Sequence, residues 1–293
     1  MPHIQSGPTR KVVDSNALQS PLLRDYLSES TNNFAVLTEY AAIEAYKGNT
    51  LVSIFRSMTL LADFPRQVIV LKPIMAVRGL RGRRLVEIQH RLIDHDQTRG
   101  FRMYCDRLLA AKLGDVYLRD QILRLGRAAD AQMARVLADA INIPVAIDEI
   151  AKTFTEAELK LIRRTDLPLS EQLASKVIKY ILLLTRSLYS RQRRPAVVRS
   201  FDELLNTFQF RAALCSFLWA LDWISMAGPK CVKPEKIRND LVDVNFAIFA
   251  TYFDGLLSMD EKARRIYHQA AIVLESITNK QGDHRTTGNA RAS

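Results

Sequence analysis

Six carboxylates stand where their spacing can do chemistry. Asp14 closes the β-branched start of KVVDSNAL, and Glu44 lies in YAAIEAYKG. Far down the chain, RNDLVDVNFAIFATYFDGLLSMDEK carries Asp240, Asp243, Asp254 and Asp260 in a strongly apolar run. A buried carboxylate costs several kcal/mol unless it is paired or binds a metal. Carboxylates that share a crevice also raise one another's pKa. Mg²⁺ or Mn²⁺ relieves that repulsion, because hard divalent cations prefer carboxylate oxygen, and such ions support in-line displacement at a phosphodiester. Each residue has an ordinary reading too. Asp14 and Asp260 can cap helices, Asp240 and Asp243 can be solvated residues of a helix's first turn, and Glu44 can lie on the surface.

The elements around these residues decide between the readings. KVVDSNAL (11–18), NFAVLTEY (33–40) and QVIVLK (67–72) read as strands rich in branched residues. Helical spacing between them, at 20–30, 40–48 and 50–64, gives alternating strand and helix, the pattern of an α/β parallel sheet. From 76 to about 230 the periodicity is helical, over 81–94, 97–113, 116–141, 155–164, 170–190 and 202–226. The α/β pattern then returns as a helix at 236–253, a strand at 254–260 and a helix at 260–277. The expected architecture is one α/β domain split in sequence. Its halves are 11–75 and 234–278, a helical insertion fills 76–233, and a disordered polar tail spans 279–293. Neither half has strands enough for a stable sheet alone.

In a parallel sheet, ligands bind at the carboxyl ends of the strands. Asp14 ends the first strand and Asp260 the last, so both can face one crevice. Asp240 and Asp243, three apart near the start of a helix, share one of its faces. Glu39, at the end of the second strand, is a further candidate, whereas Asp254 falls in the turn before the last strand and reads as structural.

VVDSNAL, LTEYAAIEAYKG and DVNFAIFATYFDGLLSMD together resemble the PIN-domain superfamily of metal-dependent nucleases. The resemblance covers 11–75 and 234–275, under half the chain, and favours Glu44 over Glu39 through the glycine four residues later. It implies a PIN-like parallel sheet and hydrolysis of phosphodiester bonds, most often in RNA, as in the toxin-like ribonucleases. It implies Mg²⁺ or Mn²⁺ held by Asp14, Glu44, Asp243 and Asp260, these four being catalytic. Asp240 is then a further ligand or outer partner, and Ser15, Asn16 and Ser258 orient water or carboxylates. The long helical middle departs from compact members of the family. A haloacid-dehalogenase-type enzyme would need an acid two residues after Asp14, where Asn16 stands.

Forty-two Lys and Arg against 31 Asp and Glu give a net charge of +11, which favours a polyanionic partner. RGLRGRR supplies Arg78, Arg81, Arg83 and Arg84, read as a flexible cationic loop that can contact phosphates, with RQRR at 191–194 as a second basic patch. RNA is the favoured partner, with a regulatory or inhibitory protein or a second copy as other occupants of the helices. The alternative to a nuclease is a non-catalytic module with a PIN-like fold that binds RNA or protein. Cys105, Cys215 and Cys231 form no CxxC pair, so neither a zinc site nor a disulfide framework is expected, and a reducing cytoplasm is. The longest apolar block, 212–228, contains Asp222 and reads as a buried helix, so no membrane span is expected. His90 and His95, five apart, do not share a helix face.

Overall fold

Val12 and Val13 are fully buried, and the strand they end lies inside the sheet. The computed structural model describes residues 7–46, 50–163, 170–190, 198–226 and 232–289. Four parallel strands, β1 (Thr9–Val13), β2 (Asn33–Leu37), β3 (Val68–Val70) and β4 (Leu256–Leu257), run in the order β3-β2-β1-β4. Val12, Val13, Ala35, Val36 and Leu37 are all buried, as expected of parallel strands with helices on both faces. Val13 pairs with Leu257, and Asp14 N–H donates to the Leu257 carbonyl at 2.9 Å, so Asp14 and Ser258 leave the sheet side by side. Gly255, at φ +150°, makes the bend into β4, and Asp254 exchanges two 2.8 Å hydrogen bonds with the Arg10 backbone at the opposite end of the strands.

The first crossover holds α1 (Pro21–Glu29), which begins where the Ser20 hydroxyl accepts from Leu22 N–H. The second holds α2 (Glu39–Tyr46) and α3 (Leu51–Asp63), the latter capped by Thr50. Beyond β3 come α4 (Ile74–Val77), α5 (Leu85–Leu92), α6 (His95–Lys112), α7 (Val116–Ala140), α8 (Ile143–Lys152) and α9 (Glu156–Arg163). Then follow α10 (Glu171–Ser190), α11 (Phe201–Leu205), α12 (Phe208–Ser225) and α13 (Pro234–Ala250), and α14 (Glu261–Asn289) comes after β4. The chain is thus mostly helical with a small parallel sheet, of α/β class. No helix among the described residues is long and apolar enough to cross a membrane.

The structure redraws several expected elements. The helix expected over 202–226 breaks at Asn206, because Thr207 caps a new helix by accepting from Phe210 N–H. α8 was not expected; its Pro144 lies in the first turn, where the missing N–H has no partner to lose. The last strand is two residues long, and α14 continues to Asn289 through the segment read as a tail, which contains no proline. The helices of the middle pack on one another, α10 and α9 on α12 and α6 on α7, and their core is continuous with that of the sheet. α7 packs on α2 and α13, α12 packs on α13 and α14, and one buried cluster runs from Val12 to Ala270. Arg211, buried at 4% exposure, ties this junction together. Its guanidinium donates to the carbonyls of Leu205 and Thr251, at the C-termini of α11 and α13, and lies over the Tyr252 ring. The negative helix ends suit that cation.

Candidate active site

The strand order reverses at β1, so the crevice between the carboxyl ends of β1 and β4 is the topological switch point of the sheet. Asp14 lies there with no solvent exposure. Its Oδ2 accepts from Ser258 Oγ at 2.5 Å and from Asn16 Nδ2 at 3.2 Å, and its Oδ1 lies 3.2 Å from Ser15 Oγ. Ser15 Oγ also contacts Glu44 Oε2. Thr38 begins α2 by accepting from Ala41 N–H, and the helix then carries Glu44 back to the end of β1. Burial raises the pKa of Asp14, the Ser258 and Ser15 hydroxyls oppose that, and the Glu44 charge adds to it.

Ser258 continues the chain of bonds. Its Oγ accepts from Asp260 N–H at 2.9 Å, and Asp260 Oδ1 accepts from Ala263 N–H at 2.7 Å. Asp260 therefore caps α14, the ordinary reading of this residue, next to the strand-end carboxyl of Asp14. A continuous path links Glu44, Ser15, Asp14, Ser258 and Asp260.

Asp243 completes the set from α13. Burial, and then the charges of Asp14, Asp260, Asp240 and Glu44, push its pKa up to about 8. It sits in the middle of α13, not in a first turn, since the helix begins at Pro234. Asp240, three residues earlier, has a different environment. Its Oδ2 accepts from Lys262 Nζ at 2.7 Å, Trp223 Nε1 at 3.1 Å and Trp219 Nε1 at 3.2 Å. Three donors on one oxygen commit Asp240 to an ion pair that fastens α13 to α12 and α14. Lys262, Trp219 and Trp223 escape a reading of the sequence because the pairing joins three separate helices.

The donors are all oxygens, which suits a hard divalent cation. Yet among the described residues no three His, Cys, Asp or Glu side chains stand close enough to grip one ion.

Other expected participants lie elsewhere. Glu39 accepts from Ile74 N–H and Gln132 Nε2, a structural duty. The loop holding Arg78, Arg81, Arg83 and Arg84 is pinned, not flexible: Gln209 donates to the Arg78 carbonyl, Arg91 to that of Arg81, and Asn206 to that of Arg83. It packs by the start of α12, which Arg211 joins to Thr251 at the end of α13. Thr251 lies about 12 Å along α13 from Asp243, at a rise of roughly 1.5 Å per residue, toward the amino ends of the strands. Arg84 pairs with Glu87 at 2.6 Å. These arginines do not line the acidic crevice. The rings of His90 and His95 meet at a tilt across two helices, their centres 4.6 Å apart. RQRR and Cys231 lie outside the described residues.

No family model, curated protein or solved structure matches this chain.

Proposed function

We propose that this chain is a PIN-like, metal-dependent nuclease that hydrolyses phosphodiester bonds, with RNA the favoured substrate. The reading is carried by the hydrogen-bonded path Glu44–Ser15–Asp14–Ser258–Asp260 at the switch point of a parallel sheet. To hold Mg²⁺ or Mn²⁺, Asp14, Glu44, Asp243 and Asp260, with Asp240 behind them, would have to converge from the spread they show here. When bound, such an ion activates water and neutralises charge developing on the phosphate. The chain's own residues do the rest. Ser15, Asn16 and Ser258 fix the rotamer of Asp14 and keep its oxygens turned to the crevice. Asp243 holds a proton below about pH 8 and must release it to become a ligand. The Asp240–Lys262 pair keeps α13 at a fixed distance from α14, and so Asp243 from Asp260.

The second reading is a non-catalytic binding module on the same fold, favoured by the spread of the carboxylates. One experiment separates the two. Labelled RNA, single-stranded DNA and duplex DNA are incubated with the full chain in Mg²⁺, Mn²⁺ or EDTA, beside Asp14→Asn and Asp260→Asn. The nuclease reading requires cleavage that needs metal and is lost in both variants. Cleavage in EDTA, or full activity in both variants, refutes the site. Binding without cleavage of any substrate supports the module.

A further inference from the structure

Gln19 lines two adjoining grooves. One, of about 550 Å³, lies on the Glu44 side of the acidic crevice, walled by Ser15, Asn16, Glu44 and Ser57 together with Met259. The other, of about 610 Å³, runs on between α1 and α3 and carries Arg24, Arg56 and Lys112 beside Val52 and Phe55. Gln19 Nε2 donates to Ser57 Oγ at 3.3 Å across the junction. Three cations thus border the continuation of an acidic site, and none of them belongs to the arginine-rich loop.

The walls differ in chemistry. Val52 is 66% exposed, and Lys112 Nζ stands 3.8 Å from the centre of the half-buried Phe55 ring. Arg24 shares its charge with Asp63 at 2.8 Å. Arg56 and Lys112 are exposed, and neither forms an ion pair among the described residues. Cations at the rim and an apolar, aromatic wall fit a single strand, whose phosphates would draw Lys112 off the Phe55 ring that it covers and leave that face to a base. A duplex keeps its bases stacked inside and offers Phe55 no face.

We infer that this groove carries single-stranded nucleic acid into the acidic crevice, with Arg56 and Lys112 on its phosphates and a base against Phe55. The destination of the strand rests on the nuclease reading; the binding does not.

The test is fluorescence anisotropy of a labelled single-stranded RNA with the full chain carrying Asp14→Asn, in EDTA, so that no cleavage consumes the probe. Adding Arg56→Glu with Lys112→Glu should weaken binding at least tenfold and lower the salt slope by about 1.4, about 0.7 for each phosphate left without its cation. Phe55→Leu should weaken it about fivefold or more and leave the salt slope in place. Arg81→Glu with Arg83→Glu, at the far end of α13, should change neither. Thermal melts show that each variant is folded. Unchanged affinity in the Arg56/Lys112 pair overturns the inference, as does a duplex that binds as tightly or an absence of nucleic-acid binding. If the groove variants lose affinity while the wild-type chain cuts nothing in Mn²⁺, the nuclease reading fails and the groove stands. Metal-dependent cleavage with affinity unchanged in those variants leaves the site and removes the groove.

Discussion

Ser258 donates to the fully buried carboxyl of Asp14 at 2.5 Å, across the ends of two adjacent strands, and with the same oxygen accepts Asp260 N–H at 2.9 Å. One hydroxyl thus fixes the acid at the end of β1 and the turn that starts α14.

Ser258→Ala removes a hydrogen bond to a buried acid. It should lower unfolding free energy by about 2 kcal/mol, measured by urea denaturation, with Ser258→Thr recovering part of the loss. An unchanged midpoint for the alanine variant would show that Asp14 does not depend on this hydroxyl.

Asp243 makes stability depend on pH. Its folded pKa of about 8 lies above its ordinary value of 3.8, so the folded chain holds this proton more tightly than the unfolded chain. Its contribution is complete below about pH 4 and is lost as pH rises through about 8. Between pH 5 and 8, in EDTA, unfolding free energy should fall by up to about 1.4 kcal/mol per unit from this group. Asp243→Asn should flatten the profile. An identical slope in the variant would refute the assignment.

Asp240 and Lys262 are mostly buried, and removing one strands the other. Asp240→Asn or Lys262→Met should cost about 3 kcal/mol. The chain's two tryptophans both donate to Asp240, so their emission reports on this spot directly. Asp240→Asn should shift that emission at temperatures where circular dichroism shows the fold intact. Emission identical to wild type would contradict the arrangement.

Metal binding can be read apart from cleavage. At pH 8, saturating Mn²⁺ should raise the melting temperature of the wild-type chain by several degrees, since a ligand that binds only the folded state stabilises it. Glu44→Gln and Asp14→Asn should lose most of that shift. A shift of equal size in both variants would place the ion elsewhere.

Much of the sheet was legible because its signals are local. Branched pairs run into Asp14, QVIV stops shortly before Pro73, and Ser258 and Asp260 follow a short apolar run. What stayed hidden depends on distant partners. Asp240 and Asp243 look alike in sequence, and only the packing of α12 and α14 gives one of them a lysine and two indoles. The break at Asn206 hides in an unbroken apolar rhythm, because Thr207 can cap from within it. The arginines of 78–84 stand out by composition, but composition carries no direction, and the cations of the adjoining groove, Arg24, Arg56 and Lys112, are scattered over three helices.

The bond from Ser258 to Asp14 joins residues 244 positions apart. During synthesis, β1 therefore waits until Leu257 has been added before β4 can complete the sheet. Contacts of such long range are slow to form. A truncated product that stops before β4 lacks both Ser258 and Asp260, so an incomplete chain cannot assemble the crevice.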